Sequence, residues 1–99
     1  MSLNKIEFIE EGVKALMGNE KFPVRKFVNL VESNQYNEVR LMLEEAIDYY
    51  KDLILKGVET HHLRRFRELE RVYSKFMDNF TNYLDGKTIR IFQQTRDLQ

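Results

Sequence analysis

Arg64, Arg67, Arg71 and Lys75 follow one another at intervals of three or four residues, and a helix turning about 100° per residue sets them in one row. A row of cations can meet phosphate groups or an acidic partner, and arginine does so best because its planar fork contacts two oxygens at once. The ordinary alternative is a solvated helix face, since Glu68, Glu70 and Asp78 stand among these residues. Sixteen Lys and Arg side chains balance sixteen Asp and Glu, so the whole molecule has no field of one sign to draw it to a polyanion, and the solvated reading leads. Arg64 and Arg65 nevertheless fall in the first turn of the helix that carries them, where positive charge opposes the helix dipole at a cost of about a few tenths of a kcal/mol each. A partner is expected there, and the acidic face Glu44, Glu45, Asp48 and Asp52 of the preceding helix is one candidate. Charge complementarity between neighbouring helices or between copies is the simplest use of these acids. They lie along a regular helix rather than around a glycine-centred loop, so calcium is not expected.

Glu59 and His62 stand three residues apart, the Glu-x-x-His spacing found in four-helix carboxylate di-metal proteins. Such a centre needs a second Glu-x-x-His pair and two more inward carboxylates. Here His61 and His62 are the only histidines, and the preceding helix has no carboxylate on its apolar face. His62 is therefore expected to close the end of an apolar face, with a pH-sensitive contact as its lesser use, and no metal is assigned. The adjacent pairs Glu10-Glu11 and Glu44-Glu45 diverge by about 100° around their helices instead of facing one substrate. With three serines, no Gly-rich phosphate loop and neither Gly-x-Ser-x-Gly nor His-Glu-x-x-His, the chain is expected not to be an enzyme and to use no cofactor.

The elements that position these residues follow from apolar periodicity. Asn4 with Glu7 forms a capping box, and Ile6, Ile9, Val13 and Leu16 recur at helical spacing until Gly18, which predicts a first helix over 4–17. Pro23 opens a second, over 23–32, with Val24, Phe27, Val28 and Val31 on one side and a break at Ser33-Asn34. The third is the clearest: Tyr36, Val39, Leu43, Ala46, Tyr50 and Leu53 alternate by three and four over 35–56, and Gly57 ends it. Met42, Ile47, Tyr49 and Ile54 widen its apolar face beyond what one neighbour covers, so it should touch at least two helices. Phe8, Leu41 and Leu55 fall off the main faces of their helices. Thr60 is the expected cap of a fourth helix over 60–84, with His62, Phe66, Leu69, Tyr73, Phe76, Phe80 and Tyr83 inward, broadened by Leu63, Met77 and Leu84. The short link at Gly57 requires the third and fourth helices to lie antiparallel. Asp85-Gly86 is a turn, and 87–99 forms a tail that reads equally as a short strand or a helical turn.

The fold expected is all-α: an antiparallel hairpin of two long helices, about 35–56 and 60–84, packed with two shorter N-terminal helices into a helical bundle. One domain is expected over 1–86, with a C-terminal tail over 87–99 that is either flexible or partner-dependent. A hydrophobic fraction of 42% builds one core, while 32% charged residues and a mean hydropathy of -0.55 fit a water-facing surface. The absence of cysteine excludes disulfides and thiolate chemistry, and no apolar run has the length of a signal segment or a membrane span. A cytoplasmic setting without membrane contact is expected. Tyr49, Tyr50, Phe66, Tyr73, Phe76 and Phe80 make a large aromatic load for so short a chain, which favours a homo-oligomer, a dimer first, and a further protein partner. The function expected is a non-enzymatic protein–protein interaction module: a regulator, adaptor or assembly factor. The alternative is a small nucleic-acid-binding protein using the basic row.

Overall fold

Gly18, Asn34 and Gly57 punctuate the chain. Each adopts left-handed backbone, with φ of 85°, 62° and 77°, two residues past the last residue of a helix. The computed structural model describes residues 5–57 and 60–79, which hold α1 (Lys5–Leu16), α2 (Val24–Glu32), α3 (Tyr36–Leu55) and α4 (Thr60–Asp78), with no strand among the described residues. At the end of α2 the amide of Asn34 donates to the carbonyl of Val31 and that of Gln35 to Leu30, which satisfies two carbonyls that the helix leaves unpaired. The Asn34 side chain then ties three elements together. Its Oδ1 accepts from Lys5 Nζ on α1 and from the Tyr36 hydroxyl at the start of α3, both at 2.7 Å.

All four helices share one core. α3 packs against both α2 and α4, as its wide face requires, and buries Tyr36, Val39, Met42, Leu43, Ala46 and Tyr50. α1 packs against α2, and α4 closes back on α1, so the helices form a ring around their buried side chains. Tyr50 lies against His62 at 5.9 Å between ring centroids, the Tyr73 hydroxyl reaches Glu44, and Tyr36 lies 6.5 Å from Phe76. The loop between α1 and α2 is held to α3 by Phe22, which is buried with its ring edge-on to Tyr49, and by Asn19, whose Nδ2 donates to the Tyr50 hydroxyl.

α1 presents a different face from the one its periodicity predicts. Phe8, expected off the apolar face, is wholly buried, whereas Ile6, expected on it, is 70% exposed. Leu16 is buried as expected, and Ile9 and Val13 are half-buried. The cause is Gly12: a Cβ there would lie 2.2 Å from Cζ of Phe27, so the bare backbone of α1 is the seat of that ring. Seating Phe27 on Gly12 turns Phe8, one helical turn earlier, into the centre of the molecule. Its ring lies 5.5 Å from that of Phe27 and 5.3 Å, stacked, from that of Phe76.

On α4, Leu69, Val72 and Phe76 are buried, with Phe66, Tyr73 and His62 half-buried. Val72 belongs to the core because α4 meets α1 as well as α3. Met77, expected to broaden the inner face, is 43% exposed. Asn79 follows α4 in a turn, its amide bonded to the carbonyls of Lys75 and Phe76. The expected extension to Leu84 with Phe80 and Tyr83, the domain edge at 86, the tail and the Asn4 cap lie outside the described residues. Among the described residues no helix is long and apolar enough to cross a membrane.

Candidate interaction surface

The basic row of α4 is divided by its neighbours. Arg64, Arg67 and Arg71 are exposed and make no ion pair among the described residues. Lys75, at the edge of the row, is drawn to α1, where its Nζ lies 2.9 and 3.2 Å from the two carboxylate oxygens of Glu11. Arg65 also turns to α1: it donates to the carbonyl of Lys14 and lies 3.5 Å from Glu68. The acidic neighbour that this flank of α4 engages is thus Glu11 of α1, not the acids of α3. Both side chains of the Glu11–Lys75 pair are more than a third exposed, so its contribution is about 0–1 kcal/mol. A cleft of about 440 Å³ opens here between α1 and α4, bordered by Glu11, Lys14, His61, Arg64, Arg65 and Arg71.

The opposite flank of α4 faces α3 and is acidic. A groove of about 680 Å³ runs between the two helices, lined by Glu44, Ile47, Asp48, Glu70, Tyr73 and Met77. Asp48 and Glu70 are exposed and have no ion pair among the described residues. Glu44 is half-buried and accepts the Tyr73 hydroxyl at 2.6 Å. That hydrogen bond to the carboxylate, then burial, then the charge of Glu44, raises the Tyr73 pKa above its ordinary 10.0 against the smaller opposing effect of Arg40. A phenol whose folded pKa is raised adds stability that is fully present below the unfolded pKa and is lost as pH rises through the folded one. Tyr73→Phe is accordingly expected to cost about 1 kcal/mol at neutral pH. The difference between the two proteins in urea unfolding should shrink as the pH is taken above 10.

The aromatic candidates are largely taken up within the chain. Tyr50 and Phe76 are buried and present almost no surface to a partner; Tyr49, Phe66 and Tyr73 are half-buried. Tyr49 carries the Lys21 ammonium 5.0 Å above its ring, and Phe80 lies outside the described residues. Among the described residues the large apolar side chains left exposed are Ile6 and Met17 in and just after α1, Leu41 and Leu55 on α3, and Met77 on α4. Ile6, Ile9, Val13 and Met17 form one line along α1, a line that periodicity alone assigns mostly to the core. The acid pair Asp48 and Glu70 was not singled out by either helix read alone, because it comes together only when α3 and α4 are side by side. Among the described residues no three His, Asp or Glu side chains stand close enough to hold a metal ion, and Glu59 lies outside those residues. No protein-family model matches the chain, nor does any curated protein or any solved structure.

Proposed function

We propose that the protein is a non-enzymatic helical interaction module, a regulator, adaptor or assembly factor, that works in the cytoplasm as a homodimer. Its centre is α3 and α4 as an antiparallel hairpin, a reading supported by the descending pairs Tyr50 with His62, Glu44 with Tyr73 and Tyr36 with Phe76. The observation that carries the reading is the pair of outer faces of α3 and α4. After the four helices have packed, Leu41, Leu55 and Met77 stay 42%, 77% and 43% exposed on the same two helices as the charges Asp48, Arg67, Glu70 and Arg71, which make no ion pair among the described residues. Scattered apolar residues are ordinary on a surface; here they share it with exposed charges of both signs, and an interface combines an apolar centre with a polar rim. Light scattering is expected to return the mass of two chains at micromolar concentration; the mass of one chain there and above removes the dimer from this reading.

A second reading rests on Arg64, Arg67 and Arg71 alone, three guanidinium groups in one row with no ion pair among the described residues. It makes the protein a small nucleic-acid-binding protein. Binding to a mixed-sequence oligonucleotide should then weaken steeply with salt and be lost when Arg64 and Arg71 are replaced by Glu. Salt-independent binding overturns it.

A further inference from the structure

Resting on the self-association reading, we propose that a second copy of this chain docks isologously on the outer face of the α3–α4 pair, the arginine row of each copy against the acidic groove of the other. A two-fold interface brings the same patch of both copies together, so charge complementarity requires both signs on that patch, one on each side of the axis. This face has that layout. Arg67, three residues from Glu70, stands next to the groove, with Arg64 and Arg71 beyond it on the side of α4 that turns toward α1, and Glu44, Asp48 and Glu70 line the groove on the α3 side. Glu68 among the arginines is engaged by Arg65, and Glu44 in the groove by Tyr73. The charges left to meet across the axis are therefore the three arginines and the pair Asp48 and Glu70, and Met77 and Ile47 lie in the groove as an apolar strip on which two copies can close.

The cleft on the other flank of α4 is a weaker candidate, because Glu11 and Glu68 already engage Lys75 and Arg65 there. A polyanion fits the outer face less well than a second copy, since the same face would bring it against Asp48 and Glu70. Like charges brought together across an interface are strongly unfavourable, so reversing one sign converts attraction to repulsion at both of its symmetry-related places.

The test uses the full chain in three forms: wild type, Arg67→Glu with Arg71→Glu, and Asp48→Lys with Glu70→Lys. All four positions are exposed, so folding is expected to survive, and circular dichroism with a thermal scan checks that it does. Each reversed form alone is expected to dimerise at least about 100-fold more weakly than wild type. An equimolar mixture of the two should regain the two-chain mass, as a heterodimer in native mass spectrometry. A chain carrying all four reversals should recover the homodimer, which guards against loss of folding in either double variant. If wild type has the mass of one chain, self-association itself fails and this interface with it. A wild-type dimer whose reversed forms dimerise equally well, or whose mixture stays monomeric, overturns the interface and leaves self-association standing. Salt-dependent binding of wild type to a mixed-sequence RNA, lost in the Arg67 and Arg71 variant while wild type stays monomeric, overturns the proposal in favour of nucleic acid.

Discussion

Phe8→Ala is expected to remove about 3–5 kcal/mol of stability, whereas Ile6→Ala, two residues away on the same helix, is expected to change it by less than about 0.5 kcal/mol. Phe8 has no exposed surface, and its ring fills the space between Phe27 and Phe76, so truncation leaves a cavity walled by aromatic rings that are themselves buried. Ile6 is mostly in solvent, and its truncation withdraws little apolar area from the core. A small domain has about 5–15 kcal/mol in all, so the first change consumes a large share of the margin and the second almost none. Urea unfolding followed by circular dichroism reads both. Equal and small effects at the two positions would return α1 to the orientation its Ile6, Ile9 and Val13 periodicity suggests.

Gly12→Ala tests the same register from the backbone side and with an opposite sign from what helix propensity predicts. In an unconstrained helix interior the change stabilises by about 1 kcal/mol, because alanine gives up less backbone entropy. Here the added methyl would sit 2.2, 2.4 and 2.9 Å from three atoms of the Phe27 ring. That ring is wholly buried with Phe8 beside it, so it cannot swing aside freely. Overpacking of this kind costs about 1–3 kcal/mol and outweighs the propensity gain. Phe27→Leu in the Gly12→Ala background should recover part of the loss, since it withdraws the far edge of the ring. A double-mutant cycle on melting midpoints measures that coupling, and strict additivity would show that the two positions do not touch.

These two positions also mark where the sequence stops being legible. α3 could be read almost whole, because its core residues are large, apolar and regularly spaced, and its stop is a glycine in left-handed backbone. In α1 the residue that sets the orientation is a glycine, which contributes nothing to an apolar periodicity, while the line Ile6, Ile9 and Val13 that dominates the pattern is exposed at Ile6 and only half-buried at Ile9 and Val13. Val72 was missed for a related reason: its burial depends on α1 closing against α4, a contact between elements far apart in the chain. The arginine row could be read from spacing alone, yet Lys75 leaves it for Glu11, and a helical wheel of one element holds no information about its neighbour. The acidic groove has the same origin, since Asp48 and Glu70 meet only across two helices.

The ring of helices closes between its first and last described members, and this has a kinetic meaning. Glu11 and Lys75 are separated by 64 positions, whereas α1 with α2, α2 with α3 and α3 with α4 are each joined through short links. The cost of joining two chain positions grows with the length between them, so the three local pairings are expected to form early in folding and the α1–α4 seam late. Running the same order backwards, the seam is where the native molecule parts first. Parting that seam alone would uncover Phe8 and Phe76, whose rings stack across it, while α1 kept its contact with α2 and α3 its contacts with α2 and α4, so a partially opened species would show its aromatic interior between α1 and α4.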